Sequence, residues 1–160
     1  MFDKGLEVMV FDPTPRAIEY LEKTAPKKDG FRFFPIGWWN TSTTLKFFAP
    51  RDNRHVSHSV VNLQRTDTYF EAEVAKVSDL AMQLGHKDIE IIKMDIEGAE
   101  HAVLADLIEN GPLPPTLLVE FDQPSKISRT IATVRQLKDK GYRLRHIEEW
   151  NYTFTGFSEN

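Results

Sequence analysis

The segment IIKMDIEGAEHAVL, Ile91–Leu104, joins an apolar run to a carboxylate-rich stretch. The run Ile89–Met94 has the length and composition of a buried strand. Ala99–Glu109 then shows helical spacing of its apolar residues and is followed by Asn-Gly, which commonly ends a helix. Between and just inside these two predicted elements lie three carboxylates, Asp95, Glu97 and Glu100.

The rest of the chain repeats this alternation of strand and helix. Thr14 is a suitable N-cap for a helix that begins at Pro15. The predicted strands are Glu7–Phe11, Phe31–Trp39, Thr43–Ala49, Tyr69–Ala75, Thr116–Phe121, Tyr142–Glu148 and Tyr152–Phe157, and further helices are predicted at Val77–Leu84 and Ser125–Lys140. This order favours an α/β fold with a mostly parallel sheet covered on both faces, ending in an antiparallel hairpin. We expect a single domain over residues 1–160.

Composition excludes several classes of protein. With 160 residues, 41% of them hydrophobic and 28% charged, the chain has enough apolar material for one globular core. A net charge of -4 and a pI near 5.7 argue against a general nucleic-acid binder. No apolar run suits a membrane span or a signal peptide, so we expect no membrane association and a cytoplasmic location. Because the chain has no Cys, thiolate and disulfide chemistry are excluded.

Carboxylates end three of the predicted strands. In open α/β sheets, ligands bind beyond the carboxyl ends of the strands. Asp12, Asp95 and Glu120 each occupy such a position. A helix cap or an Asx turn would explain a single one of them, but a carboxylate at the end of the buried run TLLVEF needs polar partners. Their convergence on one sheet edge favours a functional site.

The polar segment Pro50–Asp67 is predicted to be a long loop, of the kind that often carries function. It contains HVSHSVVN, in which His55 and His58 alternate with Ser residues. A catalytic His base is one interpretation of this pattern. The spacing could also indicate a pair of metal ligands, but no third ligand follows nearby. A solvated loop is the favoured interpretation.

The motifs VFDPTP, DIEGAEHAVL and LLVEF, in this order, resemble the FkbM-type S-adenosylmethionine-dependent methyltransferases. The resemblance runs from about Glu7 to the final hairpin, and IIKMDIEGAE is its most specific part. It implies a Rossmann-like class I methyltransferase fold and S-adenosylmethionine as cofactor.

The resemblance also implies roles for individual residues. Asp12, in the turn with Pro13, would accept hydrogen bonds from the cofactor ribose, and Ile36 and Gly37 would flank its adenine. Near the reacting centre, Asp95, Glu97 and Glu120 would serve as a base or as ligands of a hard divalent cation such as magnesium, and both options stay open. Glu100 is interpreted as structural.

Two neighbouring aromatics follow the adenine segment. Trp38 and Trp39 could stack on a ligand ring, although packing is the favoured interpretation.

One expected feature of such methyltransferases has no counterpart in the sequence. A first strand running into a Gly-rich turn would precede Glu7, where only MFDKGL is found. We therefore expect a fold whose first strand is missing. The exposed strand edges that result favour association, so a homo-oligomer is one expected arrangement.

Two main hypotheses for function follow. In the first, the chain transfers a methyl group to a hydroxyl of a small molecule or sugar. In the second, it is a catalytically incomplete methyltransferase-like domain that acts as a binding or interaction module. A divalent-metal hydrolase ranks below both, because the chain lacks a His-rich ligand set. Sugar, polyketide, peptide and lipid acceptors all remain open.

Overall fold

The computed structural model describes residues 5–26, 29–51, 58–62, 64–121 and 126–156. The strands within these residues are β1 (Val8–Phe11), β2 (Phe31–Phe34), β3 (Gly37–Trp38), β4 (Thr43–Phe48), β5 (Tyr69–Ala75), β6 (Ile91–Met94), β7 (Thr116–Glu120), β8 (Arg143–Glu148) and β9 (Asn151–Thr155). The helices are α1 (Pro15–Thr24), α2 (Val77–Gln83), α3 (Glu100–Asn110) and α4 (Ile127–Asp139). No helix in these ranges is long and apolar enough to cross a membrane.

The strands form three sheets of the mixed α/β type. β1 and β2 pair in parallel, β3 and β4 lie on either side of β5, and the largest sheet has the order β6-β7-β9-β8. β3 with β5 and β6 with β7 are parallel pairs, whereas β4 with β5, β7 with β9 and β8 with β9 are antiparallel. The predicted C-terminal antiparallel hairpin is therefore present.

The architecture differs from the expectation of one mostly parallel sheet. No described strand lies between β1 and β6, so these strands belong to separate sheets. The predicted strand Phe31–Trp39 is also divided, since β2 ends before Pro35 and β3 begins at Gly37. Proline has no N–H for a strand ladder, which explains the division. Ser125 and Phe157, predicted at the ends of a helix and a strand, lie outside the described residues.

The main core lies where α3 and α4 pack against the largest sheet. Its fully buried side chains include Leu104 and Leu107 of α3, Leu117 of β7, Leu137 of α4 and Phe154 of β9. Burial of apolar side chains contributes about 1.5–3 kcal/mol each relative to exposure. This core fixes β6, β7 and the start of α3, from which the acidic residues project.

α1 begins where the sequence predicts it. Thr14 has extended dihedrals, and its Oγ1 accepts a hydrogen bond from the backbone N–H of Ala17 at 3.3 Å. Pro15 occupies the first turn, where its lack of an N–H costs nothing. The cap therefore fixes the direction in which the chain leaves β1 after Asp12.

Candidate active site

A cavity of about 1190 Å³ lies between β1 and β6, and we call it the β1–β6 cavity. Both strands line it along their length, and α2 contributes Leu80 and Ala81 to its wall. At the ends of the strands it is lined by Asp12, Pro13, Gly37, His58, Asp95 and Glu97. Two carboxylate positions predicted from different strands thus face one space.

The start of both strands is joined by polar contacts. Arg32 of β2 has its Nη2 3.8 Å from Glu7 Oε2, beside the start of β1. The same nitrogen is 3.3 Å from Nε2 of His86, which precedes β6. The segments that precede β1 and β6 therefore meet beside β2, and Asp12 and Asp95, which follow the two strands, both line the cavity.

Asp12 follows β1 and is held by the turn into α1. Its Oδ1 accepts a hydrogen bond from the backbone N–H of Thr14 at 2.8 Å. No residue that the structure describes donates a hydrogen bond to Oδ2. Because an ionised carboxylate accepts at both oxygens, Oδ2 can accept from a hydroxyl of a bound ligand.

Gly37 lines the cavity, and its surroundings explain the absence of a side chain. A Cβ at this position would lie 2.9 Å from Phe47 Cζ, 3.1 Å from Val74 Cγ1 and 3.3 Å from Pro13 Cγ. The close approach at Gly37 is thus made by side chains of the protein itself. Ile36, predicted with Gly37 to flank adenine, is half-buried and is not among the described residues that line the cavity.

Trp38 has an unsatisfied polar atom in this region. Its ring packs at 5.2 Å from the ring of Phe11, in agreement with the favoured packing interpretation. The indole Nε1 is buried and has no hydrogen-bond partner among the described residues. A buried donor without a partner costs about 1–3 kcal/mol, and such groups often mark positions that a ligand or water satisfies.

The residues 95–98 form a tight turn between β6 and α3, which we call the acidic turn. Glu97 has a φ of 53° and Gly98 a φ of 97°. The left-handed region suits glycine but is strained for glutamate. Glu100, at the start of α3, accepts hydrogen bonds at Oε1 from the backbone N–H groups of Ile96 (3.3 Å) and Gly98 (3.0 Å).

Glu100 is itself almost completely buried, with 1% of its surface exposed. Burial raises the pKa of its carboxyl group, and the backbone N–H groups that it accepts from act in the opposite direction. Its structural interpretation from sequence agrees with these contacts.

Glu120 ends β7 beside the acidic turn but is not among the described residues that line the cavity. Desolvation raises the pKa of its carboxyl group, and the charges of Asp95 and Glu97 raise it further. Lys93 opposes this shift, and its Nζ lies 4.0 Å from Asp95 Oδ2. The three carboxylates predicted to be catalytic are therefore neighbours, and their individual roles stay predictions.

Metal ligation was the second interpretation of these carboxylates. In the part of the chain that the structure describes, no three His, Asp or Glu side chains are grouped as a metal site requires. The arrangement of the described carboxylates therefore offers a negatively charged wall and proton acceptors.

The segment 58–62 approaches the acidic turn from the other side. Ser59 exchanges two backbone hydrogen bonds with Phe48, at 2.9 and 3.1 Å. Its Oγ donates to the carbonyl of Glu97 at 2.5 Å. His58 lines the cavity, whereas His55 lies outside the described residues.

Sequence reasoning gave Ser59 no role. The contact spans 38 positions, and no periodicity or local motif announces it.

Comparison with known proteins identifies the family. No curated protein and no solved structure matches the chain significantly. A family model described as the methyltransferase FkbM domain matches residues 3–144, most of the chain, and confirms the resemblance carried by the three motifs. The chain therefore belongs to the FkbM methyltransferase domain family.

Proposed function

We propose that the chain is an S-adenosylmethionine-dependent methyltransferase that methylates a hydroxyl of a small molecule or sugar. Membership of the FkbM family implies a Rossmann-like fold and this cofactor. The observation that carries the proposal is the β1–β6 cavity, which has Asp12 at the end of one strand and Asp95 and Glu97 after the other. Asp12 would thus bind the cofactor, and Asp95 and Glu97 would act in the methyl transfer.

The residues of the cavity fit the cofactor. Its volume of about 1190 Å³ exceeds that of most small-molecule sites, which occupy about 300–1,000 Å³. Oδ2 of Asp12 is available for a ribose hydroxyl, and the carboxylates of Asp95 and Glu97 provide negative charge for a sulfonium.

When bound, S-adenosylmethionine supplies an electrophilic methyl group. In the acidic turn, Asp95 or Glu97 would take the proton of the acceptor hydroxyl as its oxygen receives the methyl group. A positioned general base of this kind contributes about 10²–10⁴-fold. Glu120, whose charge interacts with those of Asp95 and Glu97, would add to the negative potential there.

A binding or interaction module without catalysis is the second candidate. The observation in its favour is that β1 and β6 are each paired on one side only among the described strands. Such open edges are suited to the addition of another strand.

Calorimetric binding of S-adenosylmethionine and S-adenosylhomocysteine to the chain tests the proposal. We expect Asp12→Ala to weaken the binding of both ligands about 10-fold or more, because it removes hydrogen bonds made by a charged group. We expect Asp95→Ala to leave the affinity for S-adenosylhomocysteine within about threefold. Turnover should fall by about 10²-fold or more, because the variant lacks the base. Turnover is measured as transfer of labelled methyl to a panel of hydroxyl compounds.

Asp139→Ala serves as a control, because Asp139 is an exposed carboxylate at the end of α4. It should change neither binding nor transfer. Absence of binding to the unsubstituted chain would overturn the proposal and favour the interaction module. Equal loss of affinity in Asp12→Ala and Asp95→Ala would contradict the division of roles.

A further inference from the structure

We propose that Ser59 and Glu100 are positioning residues that hold the acidic turn, and that through it they set the ratio of the affinities for the cofactor, which carries a sulfonium charge, and for its product, which lacks that charge. This inference rests on the proposed function. It assigns roles to a serine of the long loop and to a carboxylate that does not itself line the cavity.

Glu100 holds the turn from the side of α3. A single oxygen, Oε1, accepts from the backbone N–H groups of Ile96 and Gly98, which lie on either side of Glu97. The carboxylate is buried at 1% exposure, so water does not compete for these hydrogen bonds. The two contacts fix the peptide planes on the N-terminal side of Ile96 and on the C-terminal side of Glu97.

Ser59 holds the turn from the opposite side. Its Oγ donates to the carbonyl of Glu97 at 2.5 Å and accepts from the backbone N–H of Val61 at 3.3 Å. Its own backbone is fixed by the two hydrogen bonds to Phe48 at the end of β4. With 6% of its surface exposed, Ser59 is a buried link between the sheet of β4 and the acidic turn.

Glu97 has a backbone conformation that these contacts stabilise. A non-glycine residue in a sparsely populated backbone region costs about 1–3 kcal/mol and persists only when its surroundings impose it. Glu97 has a φ of 53°. The structure imposes this conformation through contacts with both neighbouring amides and with the carbonyl of Glu97 itself.

The held turn keeps negative charge at the cavity. Asp95 and Glu97 both line it. S-adenosylmethionine and S-adenosylhomocysteine share their adenosine part and differ by the methyl group and its positive charge. The ratio of their affinities therefore measures how well the carboxylates are positioned, whereas the affinity for S-adenosylhomocysteine reports the rest of the site.

The experiment measures this ratio by calorimetry in Ser59→Ala, Ser59→Thr and Glu100→Met, in which methionine keeps the length of the side chain but has no oxygen to accept the two hydrogen bonds. In Ser59→Ala and Glu100→Met we expect the ratio to fall about fivefold or more, as carboxylates move away from the sulfonium. The affinity for S-adenosylhomocysteine should stay within about twofold, given that Asp12 is unchanged. Ser59→Thr keeps the hydroxyl and should retain the ratio.

Ser78→Ala is the matched control, because Ser78 Oγ also donates a hydrogen bond in a partly buried position, to Asp106 Oδ2 at 3.0 Å. It should leave the ratio unchanged. A second measurement follows amide hydrogen exchange at residues 96–98, which should accelerate about tenfold in Ser59→Ala and Glu100→Met as local opening becomes easier.

An unchanged affinity ratio and unchanged exchange in both variants would overturn the inference. So would a loss of the ratio in Ser59→Thr equal to that in Ser59→Ala. If the unsubstituted chain binds neither ligand, the proposed function fails, while the exchange measurement still shows whether Ser59 and Glu100 hold the turn. Should Ser59→Ala fail to fold, Glu100→Met carries the same comparison.

Discussion

His101 shows how a residue next to the acidic turn serves the core. It is the second residue of α3 and is buried, with 5% of its surface exposed. Its Nδ1 lies 2.8 Å from Thr133 Oγ1 on α4, and its ring stacks on Phe121 at 5.0 Å. The motif DIEGAEHAVL assigns no role to His101, and its partner Thr133 lies 32 positions away, so its environment could not be predicted from the sequence.

The environment of His101 makes folding stability depend on pH. Burial, and then the charge of Arg129, lower the pKa of His101 to about 4 from a usual 6.5. The folded state therefore favours the neutral imidazole of His101. Its full contribution to the free energy of unfolding is present above about pH 6.5. As the pH falls from 6.5 to 4, we expect a loss of up to about 3 kcal/mol in the free energy of unfolding.

Urea unfolding of the chain and of His101→Gln across this pH range measures the effect. The variant keeps a group that can bond to Thr133 but cannot become charged. We expect the free-energy difference between the two proteins to shift in favour of the variant below pH 6.5. A difference that stays constant from pH 7 to pH 4 would contradict the buried neutral state. Glu100 and Glu120 titrate in both proteins and cancel in this comparison.

At the scale of elements, β1 has one paired edge and one edge that faces the cavity. The backbone N–H of Val8 donates to Gly30 at 2.6 Å and that of Asp12 to Phe34 at 3.2 Å, both toward β2. Successive residues of a strand direct their backbone groups to opposite sides. Val10 therefore also donates toward β2, whereas the N–H groups of Met9 and Phe11 point to the β1–β6 cavity.

Proline substitutions test this assignment. Met9→Pro removes an N–H that has no partner strand, while Val10→Pro removes a ladder hydrogen bond to β2. We expect Val10→Pro to lower the free energy of unfolding by about 1–3 kcal/mol more than Met9→Pro. Urea unfolding gives both values, and Met9→Ala and Val10→Ala correct for the lost side chains. Equal costs would mean that both edges of β1 are paired.

Elements set by local chemistry could be predicted from the sequence. The cap at Thr14 and the bounds of β5 agree with their predictions, because a single side chain or a run of alternating residues determines them. The division of the predicted strand Phe31–Trp39 into two strands was harder to predict. The aromatic pattern continues past Pro35, whereas the hydrogen-bonded ladder does not.

Within the site, the same distinction holds. Strand-end positions follow from the pattern of elements, and of the three carboxylates predicted to converge, Asp12 and Asp95 line one cavity whereas Glu120 is not among its lining residues. The contact between Ser59 and Glu97 depends on how a long loop folds back, and a loop has no period from which its path can be inferred.

For the whole molecule, the division into separate sheets leaves strand edges with very different protection. The outer strand β8 has an irregular register between Leu144 and His146 and carries Arg143 and Arg145. Bulges and charges of this kind prevent pairing with another chain. β1 has a regular register over Val8–Phe11 and consists of apolar residues, so its cavity edge has no such protection.

We therefore propose that the chain self-associates through the edge of β1, and that Met9→Pro prevents this. Sedimentation velocity over a series of concentrations should show a concentration-dependent oligomer for the unsubstituted chain and a monomer for the variant. The physical reason is that proline at a cavity-facing position cannot donate to an added strand, while its effect on pairing with β2 is small.

Met82→Lys is the control. Met82 on α2 is an apolar side chain with 75% exposure, so association through the apolar surface around α2 would be reduced by Met82→Lys and not by Met9→Pro. If Met9→Pro associates as strongly as the unsubstituted chain, the edge of β1 is not the contact. If the unsubstituted chain is a monomer at every concentration, the open edge of β1 is not used for self-association.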